Sequence, residues 1–291
     1  MMRRLQDLLD EMERDPSLDD PDRLRDRIEA LDRLDAYLQG EESKSENESR
    51  VGDGTIPRAR AIYSKLEAAN RELYERVRFR IQQGDGIDSL RQWLPAVDCG
   101  AAAVEKGLGY DYLDELIGGV LQFPAPAGDV VALAPEMVFY QPTPARHIFD
   151  LIGRTALKEE DLFIDLGSGL GHVPLLVSIC TRARCIGIEL QTAYVDCARR
   201  VAEKLNLSRA TFIQQDVRAA DLSHGTVFYL YTPFTGSILR VVLASLRREG
   251  ESREIRICSF GPCATQIAEE LWLQAVGAPD EGRITMFRSR N

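Results

Sequence analysis

The run Asp165-Leu-Gly167-Ser168-Gly169-Leu-Gly171 sets a carboxylate and three alternate glycines between two apolar runs, inside "DLFIDLGSGLGHVPLL". Where a strand hands over to a helix, glycines allow positive φ and let a ligand press on the backbone without meeting a Cβ. Amides in the first turn of the following helix lack helical partners, so they and the helix dipole face the same space, and Pro174 is harmless there. The spacing separates ligand classes. A dinucleotide fingerprint, GxGxxG, needs a glycine where His172 stands, and no GxxxxGK[ST] phosphate loop occurs. A carboxylate is unfavourable beside a pyrophosphate and favourable beside an ammonium and a sulfonium. Asp165 therefore points to a cationic ligand.

Two more carboxylates stand where strands end: Glu189 in "CIGIEL" and Asp216 in "ATFIQQDV". Singly, each has an ordinary solvated strand end as its alternative reading. Three in order on successive strand tips form a pattern. The elements that would carry them are short apolar runs alternating with helix-length segments, the mark of a parallel sheet covered on both faces. The strands are "LFIDLG", "RCIGIEL", "ATFIQQD", "TVFYLYTP" and "EIRICSF"; "HVPLLVSICT", "AYVDCARRVAEKL" and "GSILRVVLASLRRE" are crossover helices. "EELWLQAV" and "GRITMFRS", joined by "GAPDE", read as an antiparallel hairpin. The fold class is α/β: a Rossmann-like, doubly wound, mostly parallel sheet with an antiparallel C-terminal hairpin, plus an N-terminal helical region.

Upstream, Thr143 before Pro144 reads as an N-cap with proline at the first helical position, a helix start able to hold a carboxylate. Leu5, Leu8, Leu9 and Met12, then Leu24, Ile28, Leu31, Leu34 and Leu38, recur at helical spacing, interrupted by "DPSLDDPDR". Residues 40–60 carry almost nothing apolar and read as a linker or mobile loop. Ile62, Leu66, Leu73, Val77 and Ile81 then line a helix ended by "GDG", and shorter helices follow to Pro124. The expected organisation is N-terminal helices over 1–39, the linker over 40–60, an accessory helical region over 61–125 and the principal domain over 126–291. The helical part carries no chemistry; it reads as a packing or homo-oligomerisation layer, or a lid.

Composition narrows the partners. Among 291 residues, 36 Lys and Arg face 46 Asp and Glu, a formal charge of -10, against stable nonspecific nucleic-acid binding. Six cysteines, Cys99, Cys180, Cys185, Cys197, Cys258 and Cys263, form no CxxC pair and suit buried thiols in a reducing cytosol, without a metal site. No signal peptide and no membrane span is expected, so the localisation is cytoplasmic.

From about residue 137 onward these motifs resemble the class I S-adenosylmethionine-dependent methyltransferases. The acidic-x-Gly-x-Gly-x-Gly motif is matched in full. The resemblance implies S-adenosyl-L-methionine as cofactor, Glu189 accepting from both ribose hydroxyls, Asp216 from the adenine amino group, and the Val217 amide donating to the ring. A narrower similarity, to the non-SET histone lysine methyltransferases that modify the nucleosome core, adds Tyr140 and Thr143 in a loop closing over the methionine end. That group's Asn-rich motif after strand four is "YLYTPF" here, and its basic nucleosome-binding extension has no counterpart. The implied cofactor residues are thus Tyr140, Thr143, Asp165, Gly167, Ser168, Gly169, Gly171, Glu189, Asp216 and Val217.

Methyl transfer from a sulfonium is an in-line displacement, so positioning a neutral nucleophile about 3 Å from the methyl carbon is the main task. Tyr231, Thr232, Pro233 and Phe234, after strand four, are the acceptor-side candidates. Thr232-Pro233-Phe234 lacks an amide acceptor but keeps a proline carbonyl and an aromatic face; Tyr231 and Phe234 form either an aromatic wall or strand core, while Phe228 and Leu230 are core. His172 is a base or, with more weight, a packing residue; His147 and His224 are weaker candidates. Two functions follow: methyl transfer to a protein side chain, lysine among them, or to a small molecule; or a noncatalytic module that keeps the fold to bind cofactor or recruit partners. A nicotinamide oxidoreductase is disfavoured by Asp165 and by His172 in place of glycine.

Overall fold

The computed structural model describes residues 2–42, 54–93, 109–128 and 136–290. The chain divides into two compact units, residues 1–78 and 79–291. The first contains helices α1 (Met2–Arg14) and α2 (Leu24–Glu42) and most of α3 (Thr55–Gln82), with a 3-10 turn, Pro16–Asp19, where "DPSLDDPDR" breaks the helical pattern. Leu5, Leu8, Leu9, Met12, Leu31, Leu34 and Leu66 are buried in one cluster, with Ile28, Leu38 and Ile62 packed against it.

The expected linker is shorter than its composition suggests. Helix α2 reaches Glu42 and α3 begins at Thr55; residues 43–53 lie outside the described set. The start of α3 is held by tertiary contacts. Arg58 Nη2 donates to Asp10 Oδ1 at 2.6 Å and to Glu13 Oε2 at 2.5 Å, and Ala59 is fully buried. Arg27 is buried too, its Nε donating to Asn70 Oδ1 at 2.6 Å and its Nη2 to the Pro21 carbonyl.

The second unit adds α4 (Gly86–Leu90), α5 (Tyr112–Leu121), α6 (Ala145–Thr155), α7 (His172–Cys180), α8 (Thr192–Lys204), α9 (Gly236–Ser252) and α10 (Cys263–Ala268). Its strands are β1 (Leu162–Leu166), β2 (Arg184–Glu189), β3 (Ala210–Gln214), β4 (Val227–Tyr231), β5 (Arg256–Phe260), β6 (Leu273–Val276) and β7 (Thr285–Ser289). They form one seven-stranded sheet in the order β3-β2-β1-β4-β5-β7-β6; β1 to β5 are parallel, and β7 runs antiparallel to both β5 and β6. The C-terminal hairpin thus joins the sheet through its second strand. Every residue of β1 is buried because helices cover both faces. On one face Ile164, Leu166, Phe228, Leu230 and Ile257 meet Ile238, Leu239, Val242 and Leu246 of α9; on the other, α7 packs on β1 and β2 and α8 on β3.

The sheet order reverses at β1. Strands β2 and β3 lie to one side of it and β4 and β5 to the other, which opens a crevice beyond the carboxyl ends of β1 and β4. Helix α5 begins with a capping box: the Asp111 carboxylate accepts from the Leu113 amide at 2.8 Å, and Asp114 Oδ2 from the Asp111 amide at 2.8 Å.

The buried Arg27–Asn70 pair gives the first prediction. Asn70→Leu removes the acceptor and leaves a desolvated guanidinium, so urea unfolding of the full chain should show a loss of about 2 kcal/mol.

Candidate functional site

A cleft of about 980 Å³ opens beyond the carboxyl ends of β1 to β4, at the upper end of the ~300–1,000 Å³ typical of small-molecule sites. Of the residues expected to bind a cofactor, Tyr140, Thr143, Asp165, Gly167, Ser168, Glu189, Asp216 and Val217 line it. Gly169 and Gly171 do not.

The glycine loop is stitched to the tip of β2. The Gly167 and Ser168 amides both donate to the Ile188 carbonyl, at 2.9 and 3.0 Å, and the Gly169 amide donates to Glu189 Oε2 at 2.9 Å. All three glycines have positive φ, at 91°, 53° and 87°. What keeps them bare is the chain's own packing. A Cβ on Gly169 would lie 2.0 Å from Cε2 of Tyr140, one on Gly167 2.4 Å from Cβ of Pro233, and one on Gly171 2.6 Å from Cε1 of Phe212. The expectation that these positions leave room for ligand is therefore corrected for Gly169 and Gly171, whose missing side chains make way for aromatic rings.

Tyr140 is the cover. Its ring lies over Gly169 and 5.3 Å from that of Tyr194, and its hydroxyl is 2.9 Å from Nδ1 of His172. Burial pushes the Tyr140 phenol up and pulls the His172 imidazole down to about 4. His172, half-buried at the cleft wall with its ring tilted 4.4 Å from that of Phe123, is held neutral. His147 is buried in α6 against Phe260, at 4.4 Å, and His224 is exposed in the loop before β4.

The three strand-tip carboxylates differ. Burial raises Asp165 well above the usual carboxylate range, and the nearby Glu189 charge adds to the effect. Glu189 holds backbone: Oε2 takes the Gly169 amide and Oε1 the Gln191 amide at 2.8 Å, each oxygen retaining a second acceptor lobe. Asp216 is paired with Arg218, whose guanidinium holds its carboxyl below the usual range; the shortest N–O distance is 2.5 Å. Ser168 Oγ is buried without a hydrogen-bond partner. Among the described residues, the cleft lining carries the carboxylates of Asp165, Glu189, Asp216 and Glu281 and no lysine or arginine.

After β4, the acceptor-side candidates Tyr231, Thr232, Pro233 and Phe234 all reach the cleft wall, yet most of their polar groups are committed. Thr232, at φ 35°, donates through Oγ1 to the Phe260 carbonyl and accepts from the Cys263 amide, both at 3.1 Å. Met137 and Phe234 form an antiparallel bridge, in which the Pro233 carbonyl accepts from the Val138 amide at 3.1 Å and the Thr235 amide donates to the Glu136 carbonyl. That corrects one expectation, since the proline carbonyl is already engaged, and resolves another: Phe234, though it borders the cleft, is 4% exposed and packed into the core under α9. Tyr231, half-buried with its ring 4.8 Å from that of Phe260 and its phenol pushed up by burial to about 12, keeps a face toward the cleft.

Thr143 is likewise not an N-cap. Pro144 occupies that position, and Thr143 Oγ1 lies 2.9 Å from the Tyr229 hydroxyl instead. The first amide of α6, on Ala145, donates to Asp114 Oδ1 at 2.8 Å, so the carboxylate held at this helix start is the chain's own. Tyr229, Tyr194 and Glu281 were missed as cleft residues. For Tyr229 the signal was present: it alternates with Phe228 and Leu230 and so faces away from α9.

Five described cysteines are free and buried; Cys99 lies outside the described residues. Among the described residues, no group of three or more His, Cys, Asp or Glu is placed to hold a metal ion, and no helix is long and apolar enough to cross a membrane.

Residues 137–227 match the family model described as histone methylation protein DOT1. No curated protein matches significantly. Similar solved structures include an RNA methyltransferase from Salinibacter ruber in complex with S-adenosyl-L-homocysteine, 26% identical over 51% of this chain and 92% of that one, with a TM-score of 0.42. A tRNA (uracil-54, C5)-methyltransferase from Pyrococcus abyssi is 16% identical over 51% of this chain and 39% of its own, at 0.41. A putative methyltransferase from Escherichia coli is 14% identical over 52% and 90%, at 0.44.

Two predictions follow from the covered loop. Gly169→Ala should cost about 2 kcal/mol through strain at positive φ and collision with Tyr140; adding Tyr140→Ala should recover part of that loss, so a double-mutant cycle will be non-additive. An imidazole whose pKa falls to about 4 on folding is protonated more readily in the unfolded chain, so stability drops as pH falls from 6.5 toward 4. Urea midpoints across that window should fall less steeply in His172→Gln.

Proposed function

We propose that the chain is an S-adenosylmethionine-dependent methyltransferase whose cofactor lies in the cleft, and whose acceptor is a protein side chain or a small molecule without phosphate groups. The observation that carries this reading is Asp165: a carboxylate desolvated at the tip of β1, facing a cleft whose lining, among the described residues, supplies no lysine or arginine to neutralise it. A ligand bearing an ammonium and a sulfonium meets that need, and a dinucleotide or a nucleic-acid backbone aggravates it. The match of residues 137–227 to a methyltransferase family model supports the same assignment.

The residues present fit such a ligand. Ser168 Oγ is an unpartnered buried hydroxyl at the cleft, Glu189 has spare acceptor lobes beside the loop, and Asp216 and Val217 stand at the tip of β3. Bound S-adenosylmethionine would supply an electrophilic methyl group. The protein's share is orientation and exclusion of water: Asp165 takes the ammonium, Glu189 the ribose hydroxyls, and Tyr231 walls the acceptor side. Neither His172 nor Tyr231 is suited to act as a general base: the His172 imidazole, half-buried beside the Tyr140 hydroxyl, is pulled down to about 4, and Tyr231 titrates too high. An amine acceptor must therefore lose its proton through desolvation.

Titration calorimetry with S-adenosylhomocysteine tests the assignment. Binding of its ammonium should ionise Asp165 and release a proton in mildly acidic buffer, seen as a heat that depends on the buffer's ionisation enthalpy. Asp165→Asn should abolish that dependence and weaken binding roughly a hundredfold. No binding by the parent chain would remove the cofactor assignment; binding without labelled-methyl transfer to any lysate component would favour a noncatalytic module.

A further inference from the structure

We infer that the Tyr229 hydroxyl is a positioning group for the amino-acid end of the bound cofactor. By pairing with Thr143 Oγ1 it fixes the loop hydroxyl that meets the ligand's carboxylate, beside the Asp165 carboxylate that meets its ammonium. The inference rests on the cofactor reading above and assigns a residue that reading does not use.

Asp165 and Tyr229 are direct register partners on the neighbouring parallel strands β1 and β4, so their side chains leave the same face of the sheet side by side. Tyr229 is 1% exposed, its ring stacked 6.4 Å from that of Phe163, and it lines the cleft. Its hydroxyl reaches Thr143 Oγ1 at 2.9 Å, and Thr143 is itself buried at the cleft wall, three residues after the Tyr140 that covers the glycine loop. A phenylalanine would fill the same core space. The phenolic oxygen therefore has a polar role that packing does not require: when it donates to Thr143, the threonine proton is left for an acceptor in the cleft. Burial and the adjacent Asp165 charge keep this phenol protonated, so it can donate at any working pH.

The geometry also says which part of the ligand feels Tyr229. Glu189 and Asp216, assigned to the ribose and adenine, stand at the tips of β2 and β3, and β4 lies on the opposite flank of β1. Loss of the hydroxyl should therefore be felt by a ligand with an amino-acid tail and not by one lacking it.

The test compares S-adenosylhomocysteine with 5′-methylthioadenosine, which has neither the ammonium nor the carboxylate, by calorimetry on the full chain. Tyr229→Phe should weaken S-adenosylhomocysteine roughly three- to tenfold and leave methylthioadenosine unchanged, with the melting temperature retained. Thr143→Val, which removes both the pairing and the contact with the carboxylate, should weaken S-adenosylhomocysteine at least as much and leave methylthioadenosine unchanged, whereas Thr143→Ser, which keeps the hydroxyl, should lose less than Thr143→Val. Should Tyr229→Phe fold poorly, the Thr143 variants carry the comparison. Equal affinities of parent and Tyr229→Phe, or equal losses for both nucleosides, would overturn the inference while leaving the cofactor reading intact. If the parent binds neither nucleoside, the cofactor reading fails and this one with it.

Discussion

The site is organised around one electrostatic constraint: a carboxylate desolvated at the tip of β1 with no lysine or arginine beside it among the described residues of the cleft. Asp165 sits where the strand order reverses, beneath a glycine loop and beside Tyr229 on β4. Burial there favours the neutral acid, and the neighbouring Glu189 adds repulsion. A fold tolerates such a group only if the penalty stays local or a ligand relieves it. Among the described residues the cleft lining brings no lysine or arginine to Asp165, and under the proposed function the ligand's ammonium supplies that relief.

The glycine loop serves this arrangement in a less familiar way than its spacing suggests. Its amides are tied to the Ile188 carbonyl and the Glu189 carboxylate, so the loop's shape is set before any ligand arrives. Positive φ at Gly167, Gly169 and Gly171 lets the backbone pass beneath Pro233, Tyr140 and Phe212. One loop thereby meets three neighbours: the tip of β2 through hydrogen bonds, the middle of β3 through Phe212, and the segment after β4 through Pro233. The 136–138 segment bridges to 233–235 by backbone hydrogen bonds, and the Glu136 carboxylate accepts from the Ser237 amide at 2.9 Å. The chain that carries Tyr140 is thus fastened to the segment after β4 as well as to the glycine loop.

Much of this was legible beforehand. The five parallel strands, the three crossover helices and the closing hairpin follow from the alternation of short apolar runs with helix-length segments, since a strand buried on both faces has no polar positions to spare. The buried faces of the N-terminal helices follow from leucine spacing. The beginning of α3 was hidden because its anchors, Arg58 to Asp10 and Glu13, join residues more than forty positions apart and look like solvated charges in a linear reading. Thr143 was misjudged for a similar reason: the Ser/Thr-Pro signal describes a local cap, and a partner 86 residues away outcompeted it.

What the sequence determined by itself was periodicity and chemistry: which runs become strands, which tips carry carboxylates, and that the loop between β1 and α7 must be glycine. These depend on neighbours a few residues apart, where spacing alone dictates geometry. Only the tertiary structure decided how the polar groups are spent. It showed that Tyr140 covers Gly169, that Asp216 is paired with Arg218, that the Pro233 carbonyl is engaged, and that Tyr229 stands beside Asp165. Each of those facts depends on which elements become neighbours and in what register, and the competition for a hydrogen-bond partner is resolved only when both contenders have been brought together.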